Sequence, residues 1–374
     1  MTITSPRPAL MLSGHNDTLV WGMSNAERIR RLAEKSDISG SDDSADVIWA
    51  DVHYAFDPLW FTYVIAHPGT IVTHGGKPLL AHMPRGEAAA LEAGTIPAGA
   101  HMVTLESKPQ LYNSQLRKLE NPFFEPLTPA SAAGIERKSY YGAYKGVTDI
   151  LTKYLWPELA LLLTRGAAKI GMTPNMVTGI GATFCVAALY LFLIGQYWPG
   201  IAAGFVFMVL DTVDGKLARC TITSSKWGNV FDHGIDLVHP PFWWLAWGLG
   251  LKTWGLALAP PVFLWTMVVI FAGYVLQRLV EGRFLQRHKL DVHTWRPIDS
   301  WFRLITARRN PNMVLLIIAM LFKRPDLGLF AVAVWTALSL LFHLVQLLQA
   351  EYRVSRGHEI TSWMEQKPVA EQRV

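Results

Sequence analysis

From Thr173 to about residue 352 the chain is a succession of long apolar runs cut by short basic loops. No other feature restricts its folding as much. Inside a bilayer only a helix or a closed barrel satisfies its own backbone, and a helix needs roughly 20 mostly apolar residues to cross. Length and punctuation predict spans at residues 174–195, 198–219, 228–250, 257–282, 311–323 and 326–350. The fifth is short, and reaches back toward Arg308 or tilts little. Thr173-Pro174 is a strong helix start, a hydroxyl cap followed by a residue whose missing N–H costs nothing there.

The balance of 34 Lys and Arg against 29 Asp and Glu leaves a formal charge of +5. These cations gather in loops flanking the apolar runs, above all in 283–309, as the positive-inside bias requires, so nucleic acid is not an expected partner. Counting spans puts loop 283–309 and the residues after Tyr352 on the side of the N-terminal part. The opening MTITSPRPALMLSGHND has no apolar stretch of signal-peptide length. The sequence therefore predicts a multi-pass protein of the cytoplasmic membrane with both termini on the cytoplasmic side. Its two cysteines, Cys185 and Cys220, lie in or beside apolar segments and support neither a disulfide framework nor a zinc site.

Residues 1–125 read as a small cytoplasmic α/β domain. SNAERIRRLAEK, residues 24–35, carries a capping box in Ser24 and Glu27 and a helical apolar rhythm at Ile29 and Leu32. DVIWADVHYAFD and GTIVTHGGKPLLAHM read as strands, with a turn at Gly75-Gly76. The polar, proline-punctuated stretch 104–126 reads as a linker. Residues 126–172 then form a juxtamembrane segment. Lys145, Lys153, Arg165 and Lys169 interrupt its apolar character, so it is laid along the interface as a helix rather than through the bilayer. The six-helix domain occupies 173–352 and a cytoplasmic tail 353–374. The fold class is thus an α-helical integral membrane protein: six transmembrane helices, a preceding interfacial helix and a small α/β domain.

Charged residues break this pattern at one place. Asp211, Asp214, Gly215, Ala218 and Arg219 recur at steps of three and four and share one helical face at the end of the second span. Gly228, Asp232 and Asp236 recur at steps of four at the start of the third. The loop 220–227 is short enough to make the two helices neighbours, so two carboxylate faces meet at the cytoplasmic membrane boundary. Four carboxylates in a partly dry place repel one another unless something positive sits among them. An all-oxygen donor set favours a hard divalent cation, Mg²⁺ or Mn²⁺. Gly215 and Ala218 leave room on the same face for a flat or bulky group to approach the backbone. His233, a lone histidine at a helix start, is left out of the ligand set.

The pattern D-x-x-D-G-x-x-A-R-x8-G-x-x-x-D-x-x-x-D is met in full by Asp211, Asp214, Gly215, Ala218, Arg219, Gly228, Asp232 and Asp236. It resembles the signature of the CDP-alcohol phosphotransferase family, six-span membrane enzymes, over roughly residues 145–350. The T-P-N-x-x-T entry to the first span, Thr173, Pro174, Asn175 and Thr178, belongs to the same resemblance. It implies transfer of a substituted phosphate from a CDP-alcohol to an alcohol or polyol-phosphate acceptor, with release of CMP. It also implies two divalent ions, Mg²⁺ or Mn²⁺, held by Asp211, Asp214 and Asp232, with Asp236 completing the site and acting as general base. Asp211, Gly215, Ala218, Asn175 and Thr178 would receive the nucleotide. Arg219, Lys226, Arg165 and Arg308 are candidates for contacts to phosphate or acceptor.

A CDP-diacylglycerol donor would make the protein a phospholipid synthase, and a soluble CDP-inositol donor would make it a polyol phosphodiester synthase. Membrane lipids are expected partners, and members of the family are often homodimers. The N-terminal part resembles a shortened, degenerate nucleotidyltransferase domain of the kind found in di-myo-inositol-phosphate-phosphate synthase-type proteins. MLSGHNDTLVWGM lacks that domain's G-x-G-x-R phosphate loop. An ion-coupled transporter is a weaker reading because the acids cluster at one membrane face. A non-catalytic scaffold is weaker because the full acidic set is present.

Overall fold

A computed structural model describes residues 7–38 and 44–365; the parts of the N-terminal domain and of the 353–374 tail that fall elsewhere lie outside the described residues. The described chain divides into two compact units. One holds the residues up to 145 together with 216–223, the other holds 146–215 and 224–365.

The first unit is built on a mixed sheet. Strands β1 (Ala9–Ser13), β4 (Asp46–Asp51), β6 (Thr70–His74), β7 (Lys77–Pro84) and β8 (His101–Thr104) lie in the order β1-β4-β7-β6-β8. The β1–β4 and β6–β8 pairs are parallel and the central pairs antiparallel. The β6–β7 turn falls at Gly75-Gly76, both with positive φ (55° and 76°), the backbone a tight hairpin demands. Between these elements run β2 (Leu19–Val20), β3 (Met23–Ser24), α1 (Asn25–Lys35), β5 (Tyr54–Phe56), α2 (Pro58–Ala66) and α3 (Ala88–Glu92). Ser24 caps α1 as its sequence requires, its hydroxyl accepting from the Glu27 N–H. Asp57 caps α2 by accepting from the Leu59 N–H, and burial raises its carboxyl above the usual range.

Two boundaries differ from the sequence reading. Residues 104–126 are not a linker: they form β9 (Leu111–Asn113), β10 (Lys118–Glu120) and β11 (Phe124–Pro126). β11 pairs with β5, the Phe124 ring lies 5.0 Å from Phe56, and the Trp60 indole donates to the Pro122 carbonyl at 3.1 Å. Prolines and charges hide this packing because each strand is only three residues long. Likewise 126–145 belongs to the first unit. Its helix α4 (Ala132–Gly142) buries Tyr140, and Ser139 accepts from the Trp21 indole at 2.6 Å.

The second unit is helical. A π-helical turn at Leu151–Leu155 leads to α5 (Pro157–Lys169), followed by α6 (Pro174–Leu193), α7 (Tyr197–Cys220), α8 (Lys226–Gly250) and α9 (Pro260–His288). Then come the short α10 (Pro297–Phe302), α11 (Arg309–Leu321) and α12 (Pro325–Ser355). Helices α6 to α9, α11 and α12 fall where the six spans were predicted. Among the described residues, α6, α9 and α12 are long and apolar enough to cross a membrane, and α11 is apolar but shorter. α7 and α8 have the length, 24 and 25 residues, but their facing ends carry the acids.

Packing in this unit is inside out relative to a water-soluble bundle. Gln277 on α9 and Thr336, Ser339, His343 and Gln346 on α12 are buried, whereas Leu264, Trp265, Leu279, Leu341 and Leu348 are exposed. In water the exposed set would cost free energy that burial would recover, and in lipid it costs nothing. Small residues set the close approaches. A Cβ on Gly273 would lie 2.7 Å from Thr336 Cγ2, and one on Gly250 would lie 2.1 Å from the Phe192 carbonyl. At Gly250 the obstacle is backbone, so neither helix can yield cheaply. Gly250→Ala is expected to destabilise the detergent-solubilised protein by about 1–3 kcal/mol, read as a lowered unfolding midpoint. Gly282→Ala, with open space around its Cβ position, serves as the control, and equal midpoints would contradict this packing.

Candidate active site

The end of α7 and the start of α8 bring the acids together. Phe207 on α7 packs edge-on against His239 and Trp243 of α8, with ring centroids 4.9 and 5.8 Å apart, which keeps the two helices in contact beside the site. The start of α8 is set by Ser225, whose hydroxyl accepts from the Gly228 N–H at 3.0 Å. Carboxylate oxygens of Asp211, Asp232 and Asp236 lie within 4.8 Å of one another. Asp236 is the most open of the three, with its side chain 41 % exposed against 17 % for Asp211 and 30 % for Asp232.

Asp214 does not join that group. Its carboxylate is buried and accepts from the Thr178 hydroxyl at 2.5 Å and from the Gly215 N–H. Thr178 thus orients an acid from the facing α6. Asn175 stands at the first turn of α6, and a Cβ on Gly228 would lie 2.8 Å from its Oδ1, so the glycine of the acidic pattern lets α8 approach that side chain. Gly215 and Ala218 sit at the end of α7 as expected.

The compensating charge is Arg309, the first residue of α11. Its Nη2 lies 2.7 Å from Asp211 Oδ2 and its Nη1 2.6 Å from Asp236 Oδ1. Sequence reasoning placed this arginine only within a basic loop, and the signal available was its position at the start of the fifth apolar run. Its Nε donates to Asn310 Oδ1 at 2.8 Å, and the guanidinium carbon lies 4.8 Å from the centroid of the Phe207 ring. Asn310 in turn donates to Asp149 Oδ1 at 3.0 Å and to Thr152 Oγ1 at 3.2 Å.

The other basic candidates stand elsewhere. Arg308 pairs with Glu281 at 2.7 Å rather than with the aspartates. Arg219 belongs to the first unit, where its Nε donates to the Ala143 carbonyl at 3.1 Å, as does Lys216 Nζ at 2.9 Å. Lys226 is exposed at the first position of α8, and Arg165 is half-buried on α5. Glu281, His293 and His343 form a second group of potential ligands. Arg278 and Arg308 already hold the Glu281 carboxylate at 2.9 and 2.7 Å, so the cluster carries excess positive charge and opposes a cation. Burial pushes the His293 imidazole down to about 3, which leaves it neutral. No such excess surrounds the gathered aspartates, whose three carboxylates face one guanidinium. Their all-oxygen donor set suits a hard divalent ion.

A helical unit of membrane type, with a carboxylate site where two helix ends meet, is the class this geometry defines. Residues 171–346 match the model of the CDP-alcohol phosphatidyltransferase family. The match leaves residues 1–170 outside it. The chain is 37% identical over 94 residues to a phosphatidylinositol phosphate synthase of Mycobacterium marinum, a stretch that is 23% of this chain and 40% of that protein. It is 31% identical over 128 residues to cholinephosphotransferase 1 of Gallus gallus, 31% of this chain and 37% of that one. The chain therefore spans less than half the length of these relatives. Among solved structures, it is similar to phosphatidylinositol phosphate synthase of Mycobacterium tuberculosis in complex with manganese and citrate. That similarity has a TM-score of 0.41 and 16% identity, over 50% of this chain and 88% of the other.

Removing the Thr178 hydroxyl leaves the buried Asp214 carboxylate with the Gly215 N–H but without its side-chain donor. Thr178→Val is expected to cost about 1–3 kcal/mol of stability, measured as the unfolding midpoint in detergent. A midpoint equal to that of the parent protein would show that this hydroxyl does not hold Asp214.

Proposed function

We propose that this protein is a multi-pass membrane enzyme that transfers a substituted phosphate from a CDP-alcohol to an acceptor hydroxyl and releases CMP. The observation that carries the proposal is the convergence of Asp211, Asp232 and Asp236 inside the segment matched by the family model. In this reading α6 to α9, α11 and α12 are six spans, and the site would lie at the cytoplasmic boundary, on the side of the basic loop 283–309. Helix α5 supports an interfacial position: Ala160, Leu161, Thr164 and Ala167 are buried, while Leu159, Leu162 and Leu163 face outward.

The donor we assign is a lipid, CDP-diacylglycerol, and the product class a phospholipid. Support comes from the rim of the site, where the first turns of α8 expose Trp227, Val230 and Phe231 immediately before Asp232. An exposed indole and apolar neighbours at this level suit the bilayer interface, where a lipid donor would present its headgroup. Phosphatidylinositol phosphate synthases among the relatives agree with such a donor.

Asp211, Asp232 and Asp236 would hold two divalent ions, Mg²⁺ or Mn²⁺, with Asp214 behind them. Bound cations would neutralise the diphosphate and the charge on the departing CMP. The chain's own groups do the rest. Asp236, the most open of the gathered carboxylates, takes the proton of the acceptor hydroxyl. The acceptor oxygen then bonds to the phosphorus that carries the donor's alcohol, and the bond from that phosphorus to the CMP oxygen breaks, its electron pair leaving with CMP. Asn175 and Gly215 stand on the side proposed for the nucleotide, and Thr178 keeps Asp214 oriented from α6.

Purified protein in detergent with Mg²⁺ or Mn²⁺ is expected to release CMP from CDP-diacylglycerol when given a polyol or polyol-phosphate acceptor, and chelation of the metal is expected to stop it. Asp236→Asn is expected to lower turnover by a factor of about 10² or more while nucleotide binding persists. Turnover that survives both treatments would refute the proposed chemistry. Release from soluble CDP-inositol alone would refute the lipid donor.

A further inference from the structure

Three carboxylates converge, and the chain brings a cation of its own to two of them. We propose that Arg309 is a built-in counter-ion that competes with divalent cations for Asp211 and Asp236 and yields those oxygens when the cations bind. The inference rests on the metal-dependent reading above and assigns to Arg309 a role in loading that site.

The geometry is specific. One guanidinium reaches two carboxylates on different helices, Asp211 of α7 and Asp236 of α8, through two different nitrogens at 2.7 and 2.6 Å. A planar fork of fixed width does this only when both acids are held at the matching separation. Its own placement is equally determined. Nε is tied to Asn310, Asn310 is tied to Asp149 and Thr152, and Asp149 accepts from the N–H groups of Leu151 and Thr152. Phe207 lies against the guanidinium, whose side chain is 10 % exposed. Arg309 is therefore a fixed charge in a largely dry place, where an ion pair is stronger than at the surface and leaving one partner unpaired is costly.

The consequence is an exchange of charge. A divalent ion brings two positive charges to oxygens that a single positive charge already holds, and like charges at this separation repel. Either the ion is held weakly or the guanidinium lets go of at least one carboxylate. In the metal-free protein the same pairing keeps two acids on neighbouring helix ends from driving those ends apart. Arg309 therefore lowers the affinity of the site for divalent cations below that of the bare carboxylates, and it preserves the shape of the site without them.

The test is a titration of full-length, detergent-solubilised protein with Mn²⁺, reading the free ion by electron paramagnetic resonance. Arg309→Gln is expected to tighten Mn²⁺ binding about tenfold or more. Arg309→Lys, which keeps the charge but cannot reach both acids at once, is expected to tighten it by a smaller factor, and it serves on its own if Arg309→Gln does not fold. Asp232→Asn, which leaves the two ion pairs intact, should weaken binding in either background. Saturable Mn²⁺ binding that is unchanged or weaker in both arginine variants would overturn the counter-ion role alone. An absence of saturable binding in the parent and in every variant would overturn the metal reading and the counter-ion role with it.

Discussion

Everything near the acids depends on one electrostatic constraint: aspartates gathered at the ends of two helices must be neutralised where little water reaches them. Arg309 meets it by clasping Asp211 and Asp236, and Asp214 is settled separately by the Thr178 hydroxyl and a backbone N–H. Two further helices and one turn are thereby recruited to the site on α7 and α8. α6 contributes Thr178 and Asn175, α11 contributes Arg309 and Asn310, and the turn before α5 contributes Asp149. Such a network is expensive to disturb, because removing one charge strands another.

Around this charged region the bundle is arranged for lipid. Leucines and valines face outward from α9 and α12 while glutamine, histidine and hydroxyl side chains are enclosed. Two of the enclosed groups bond to backbone: Gln277 Nε2 donates to the Gly273 carbonyl at 3.2 Å, and Ser339 accepts from the Ala307 N–H at 3.0 Å. Glycines at 250 and 273 let backbones approach, which in lipid supplies much of what the hydrophobic effect supplies in water. The first unit follows the opposite rule, with a mixed sheet and helices around a core that includes Ile48, Phe56, Trp60 and Val72.

Much of this was legible in the sequence, and for physical reasons. Apolar length and the Thr173-Pro174 start mark helices because a bilayer tolerates little else, and steps of three and four put Asp211 with Asp214 and Asp232 with Asp236 on helical faces. Ser24 and the Gly75-Gly76 turn were readable because their chemistry is local. What escaped was long-range. Arg309 lies 98 and 73 positions from the carboxylates it clasps, and in sequence it cannot be told from Arg308, which faces Glu281 instead. Distance along the chain also hid β11, whose partner β5 lies nearly 70 residues earlier, and it made three short strands look like a linker. Nor does the acidic pattern disclose that Asp214 stands behind the other three, since that depends on a hydroxyl of another helix.

The most direct test of the account is to locate the metal. A crystal of the purified protein grown with Mn²⁺ and measured at an energy where manganese scatters anomalously reports the ion without reference to any assumed mechanism. The expected result is anomalous density among Asp211, Asp232 and Asp236, with Arg309 turned from at least one of its two carboxylates. Density at Glu281, His293 and His343, or none near the aspartates at saturating Mn²⁺, would contradict it.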